Sequence, residues 1–173
     1  MNAGIIILLA ALIAASVTDI TRQRIPNAIT LPLAVFGLVY HLYTAGMSGL
    51  LFSISGLLAG AGLLILFYLM GGMGAGDVKL MGAVGSILGP VNVVHAFAYC
   101  ALLGGIYSLV VLYRHSILRL SLERCVSAPV DFLRTGCWFW SPSPAEKKLP
   151  RLRYAIAISL GTGIHVLRSL YNW

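Results

Sequence analysis

Apolar residues dominate long stretches of the chain, and a few polar, glycine or proline interruptions cut them into lengths suited to crossing a bilayer. Ala3 to Val17 is apolar or small throughout and reaches a polar boundary at Thr18 and Asp19. Ala28 to about Met47 forms a second stretch and Leu50 to Met70 a third, joined by a short turn at Gly46, Ser48 and Gly49. After the glycine-rich break at Gly71 to Gly76 comes an apolar run of 34 residues, Leu80 to Tyr113. As one helix it would measure roughly 50 Å, too long for a single crossing of a hydrocarbon core about 30 Å thick. Gly89, Pro90 and Asn92 predict a turn that divides it into a short fourth span, about Gly76 to Leu88, and a fifth from about Val93 to Tyr113. Tyr154 to about Tyr171 makes the sixth.

The pattern predicts an all-α, polytopic membrane protein of about six transmembrane helices, with residues 1–173 as a single domain and a basic loop at about 114–153. Within that loop, residues 116–126 read as an interfacial helix or a continuation of the fifth span. Trp138, Phe139 and Trp140 read as interfacial aromatics, and Ser141 to Pro144 as a loop breaker. The first segment could be taken for a signal peptide because Ala14, Ala15 and Ser16 are small. Arg22 and Arg24 follow it, however, and no basic residue precedes it, so a retained span is expected.

Composition agrees: 59% of the 173 residues are hydrophobic and 10% are charged, too few charges to clothe a water-facing surface. Mean hydropathy is +0.91, which also excludes a disordered chain. The net charge of +7 would raise the question of nucleic acid in a soluble protein. With six spans and the N-terminus outside, however, eleven of the twelve Lys and Arg residues fall on the cytoplasmic side, Arg168 being the exception. The positive-inside rule therefore accounts for the basic excess, and no nucleic-acid partner is expected. Cys100, Cys125 and Cys137 form no C-x-x-C pair and offer neither a zinc site nor a disulfide framework.

Five carboxylates remain to carry chemistry. Glu123, Asp131 and Glu146 lie in the basic loop as solvated surface residues. Asp19 and Asp77 instead sit at cytoplasmic ends of predicted spans, where an acid is costly enough to suggest function. Asp19 closes an inward-going helix and Asp77 opens an outward-going one, so both reach the same depth although 58 residues apart. Two such carboxylates can share a proton, one activating water while the other polarises a carbonyl; a proton-coupled transporter could use them too. Glycine at Gly74 and Gly76 suits a backbone that must bend or be closely approached. At a helix start Asp77 is expected to be the readier base, and at a helix end Asp19 the readier acid.

Residues Asp19 to Thr30, with Ile25, Pro26 and Asn27 at their centre, resemble the D-x-x-x-x-x-I-P-N-x-x-T signature of the type IV prepilin peptidases. Met73 to Met81 resembles that family's G-x-G-D signature. Tyr154 to Gly161 is similar to the start of the family's last helix, with Arg153 where proline is usual. The resemblance covers about residues 5 to 161. It implies an aspartic endopeptidase with Asp19 and Asp77 catalytic, removing the short leader of prepilins and pseudopilins at the cytoplasmic face of the bacterial inner membrane. No metal or organic cofactor is implied. Larger members carry an N-terminal segment with two C-x-x-C pairs and methylate the new N-terminus. This chain resembles the compact, peptidase-only forms of Flp/Tad pilus systems. The alternatives are a presenilin-like intramembrane protease, disfavoured because its Tyr-Asp and Pro-Ala-Leu motifs are missing, and a transporter or noncatalytic pilus-assembly component.

Around the aspartates, Arg22, Arg24 and Lys79 are expected to set topology and meet lipid phosphate, or to orient substrate and carboxylates. Pro26 and Asn27 are expected to start the second helix, with Asn27 or a neighbour as its cap. Gly56, Gly60 and Gly62 read as helix-packing positions. His41, His95, His115 and His165 show no ligand spacing and read as packing or interfacial residues.

Overall fold

The computed structural model describes residues 3–69, 72–114 and 154–171. They form four helices, α1 (Ala3–Arg22), α2 (Asn27–Leu69), α3 (Ala75–Arg114) and α4 (Tyr154–Tyr171), and no strand occurs among the described residues. The expected interfacial helix at 116–126, the Trp138, Phe139 and Trp140 cluster and Arg153 lie outside them. Two units are distinguished, residues 1–104 with 153–173 and residues 105–152. The description below concerns the first.

Three helices, α1, α2 and α3, are long and apolar enough to cross a membrane. α2 and α3 are each broken once, where glycine takes a backbone conformation that L side chains rarely adopt: Gly46 at φ 63°, ψ −144° and Gly89 at φ 81°, ψ 174°. Each break folds its helix into two arms. Gly37 and Ser53, on opposite arms of α2, both meet Ser86, though a straight helix would hold them about 24 Å apart. Met81 and Val93, on opposite arms of α3, both meet Gly60. The turns expected at Gly46 and at Gly89 are where the chain bends. Ser48 Oγ donates to the Ala45 carbonyl (2.8 Å), and Asn92 Nδ2 donates to the Leu88 carbonyl (3.1 Å).

The first arm of α3, residues 75–88, is short because it is the core. Every residue from Leu80 to Ile87 is buried. Glycines admit its neighbours: a Cβ at Gly56 would run into the Gly85 carbonyl, and one at Gly60 into the Met81 carbonyl. Gly62 differs from expectation, since a Cβ there would meet nothing within 4 Å. Ser53 Oγ donates to the Ser86 carbonyl (2.7 Å). α4 packs on α1 through Ser16 Oγ donating to Ser159 Oγ (2.7 Å), and on α3 where Gly161 faces Cys100. Ser53, Ser86, Thr30 and Thr162 are buried while Ile13, Leu31, Val39, Leu51, Leu58 and Leu102 are exposed. That inversion of the soluble pattern suits a hydrocarbon solvent.

Candidate active site

The first aspartate is positioned by the way α1 ends. Gln23 adopts φ 50°, and its N–H donates to the Asp19 carbonyl (3.0 Å), the left-handed closure of a helix C-terminus with glutamine in the place glycine usually fills. Pro26 lies three residues further on, with no N–H to continue the helix. Asp19 is thus held one turn before the closure, with 8% of its surface exposed.

The second is positioned by the way α3 begins. Asp77 is in the first turn, 9% exposed. Its N–H donates to the Gly74 carbonyl (3.1 Å), while Asp77 Oδ2 accepts from the Gly74 N–H (3.2 Å). This is the acid-side half of a capping box, which fixes one carboxylate oxygen against the backbone. Of the two roles expected of these glycines, a bend or a close approach, the contacts at Gly76 are those of a close approach, here by the chain's own Ile25. Gly76 is a close-approach position, where a Cβ would lie 3.1 Å from Ile25 Cβ, and neither Gly74 nor Gly76 has positive φ.

Two side-chain contacts bring the two segments together, and Asp19 is near enough to Asp77 for their charges to act on each other. Ile25 covers Gly76. Lys79 Nζ donates to Asn27 Oδ1 at 3.0 Å. That last bond changes the reading of Asn27: its oxygen serves α3, while the Pro26 carbonyl, accepting from the Ile29 N–H (3.0 Å), closes the first turn of α2. Arg22, the last residue of α1, and Arg24, on the loop after it, are exposed. Ile25 and Gln23 stand inside the quoted motif, but their roles were not legible from it. An unusual φ at a glutamine leaves no mark in sequence, and an isoleucine in an apolar chain draws no attention. Thr30, the last motif residue, is buried with no hydrogen-bond partner for its hydroxyl.

The result is an all-helical arrangement with apolar helices of membrane-crossing length and two buried carboxylates, one at a helix end and one at a helix start, on segments joined by neighbouring side chains. Residues 6–109, which contain both aspartates and every tie between them, match the Type IV leader peptidase family, and the chain belongs to that family. It is thus a type IV leader peptidase-like protease, a class acting on prepilin-type substrates. No curated protein and no solved structure matches the chain.

Proposed function

We propose that this chain is the aspartic endopeptidase that removes the leader from Flp-type prepilins and pseudopilins. In this reading it sits in the bacterial inner membrane with its site at the cytoplasmic face. The observation that carries the proposal is the joint burial of Asp19 and Asp77 at one end of the helical unit. The six helical segments produced by the breaks at Gly46 and Gly89 are read as six spans, which puts eleven of twelve basic residues on the aspartate side.

One aspartate, as carboxylate, takes a proton from water while the water oxygen attacks the scissile carbonyl carbon. The other, protonated, donates to the carbonyl oxygen. Collapse of the tetrahedral intermediate breaks the C–N bond: the leaving amine takes the proton that the first aspartate accepted from water, and the second aspartate recovers its proton from the gem-diol hydroxyl. The helix start at Asp77 and the helix end at Asp19 are the ground for taking Asp77 as the base and Asp19 as the acid. Lys79, Asn27 and Ile25 hold the two segments in register. The substrate's own hydrophobic helix lies in the bilayer against the exposed apolar faces, bringing its basic leader junction to the carboxylates. The polypeptide cleaves without methylating the new N-terminus.

Incubating the purified protein in detergent with a Flp-type prepilin, and reading the product by mass, tests this. The expected product is a pilin shortened by its leader, unmethylated when S-adenosylmethionine is present. A pilin of unchanged mass would contradict the proposal and favour a transporter or assembly component.

A further inference from the structure

Arg168 is the basic residue that topology does not explain, and the structure surrounds it with hydrogen-bond donors. On the second arm of α3, His95, Tyr99 and Leu102 recur at helical spacing along one face; on α4, His165, Arg168 and Ser169 do the same. The two faces enclose an open cavity of about 510 Å³. The His95 and His165 rings stack with centroids 5.8 Å apart, and Tyr99 lies 6.4 Å from His165. Arg168 Nη1 donates to the Tyr99 hydroxyl at 2.6 Å. Two of the four histidines read from sequence as packing or interfacial residues, His95 and His165, are therefore brought together here.

The cluster lies far from the aspartates. Ser159, bonded to Ser16 one turn from Asp19, is nine residues before Arg168, about 14 Å along the helix. The neighbouring cavity, lined by Gly4, His41, Asn92 and His165, confirms that this end of α4 reaches the start of α1.

Donors outnumber acceptors there. Guanidinium offers five N–H groups, of which one bond goes to Tyr99. The Tyr99 oxygen accepts that bond, so its own proton is left to donate; Ser169 and the imidazoles add further donors. Asp19 and Asp77, the carboxylate side chains among the described residues, are at the opposite end. An anion with several acceptor oxygens fits this set, and the planar guanidinium matches a phosphate in particular. Exposed Leu102 adds an apolar edge to the same cavity. We propose that His95, Tyr99, His165, Arg168 and Ser169 form a binding site for a phosphate-bearing ligand, at the end of the helical unit away from the aspartates.

The test uses the full chain in dodecyl maltoside, titrated with dioleoylphosphatidylglycerol and, separately, with inorganic phosphate. Binding is read by native mass spectrometry and by the thermal unfolding midpoint. Saturable binding of one equivalent of either probe is expected, weakened about tenfold or more by Arg168→Gln, as loss of a charge-assisted contact implies. Tyr99→Phe removes only a hydroxyl and should weaken binding less, while circular dichroism verifies helix content in both variants. Lipid binding undisturbed by millimolar phosphate identifies a lipid headgroup as the source; displacement identifies the free anion. Absence of saturable binding to both probes, or binding unchanged in folded Arg168→Gln, overturns the proposal.

Discussion

The two ends of the helical unit are built on opposite principles. At one end, two acids are buried, one with the Gly74 N–H on its carboxylate, while the cations Arg22, Arg24 and Lys79 on the same segments are exposed. At the other, an arginine, a tyrosine and two histidines line an open cavity with no described carboxylate. Burial makes the charge of a carboxylate costly, a setting suited to proton chemistry. Openness with an excess of donors suits binding of a ligand that supplies the missing acceptors. The first end is locked by helix termini and the second is formed by helix faces, so small displacements should matter far more at the first.

The comparison breaks most visibly at the aspartates. Asp77→Asn and Asp19→Asn should each slow prepilin cleavage by about 10²- to 10⁴-fold, measured as initial rate of leader release, with helix content intact. Between the ends, the core that separates them is sharpened by two glycines on one helix arm. Gly56→Val must displace the Gly85 backbone and should cost about 1–3 kcal/mol, seen as a lower unfolding midpoint. Gly62→Ala meets open space and should stabilise by about 0.5–1 kcal/mol through helix propensity. At the acidic end the Lys79 to Asn27 tie should yield a coupling of about 0.5–1.5 kcal/mol in a double-mutant cycle of Lys79→Met and Asn27→Ala, read in kcat/KM. The smallest effect is expected at Gln23. Gln23→Gly relieves its left-handed backbone and should raise stability by a few tenths to about 1 kcal/mol in chemical denaturation.

Much of the fold was legible because a bilayer simplifies the code. Apolar length fixes where helices run, and Gly46 and Gly89 punctuate at the positions where positive φ is needed. The aspartates were singled out by scarcity, and the structure adds that both are buried near helix ends. What lay beyond the sequence was contact across distant segments. Nothing in the local pattern separates Gly56, pressed on the Gly85 carbonyl, from Gly62, which faces open space. Likewise Asn27 has the composition of a cap yet accepts from Lys79, because a partner 52 residues away competes for its oxygen. His95 and His165 share no spacing because they stand on different helices, and only packing stacks their rings.

The claim that Asp19 and Asp77 act as one unit is tested most directly by comparing cleavage rates of Asp19→Asn, Asp77→Asn and the double variant on the same prepilin. Two carboxylates sharing one step should make each single variant as slow as the double. Either single variant retaining more than about a tenth of the wild-type rate, below the smallest loss expected for a positioned acid or base, would contradict the account.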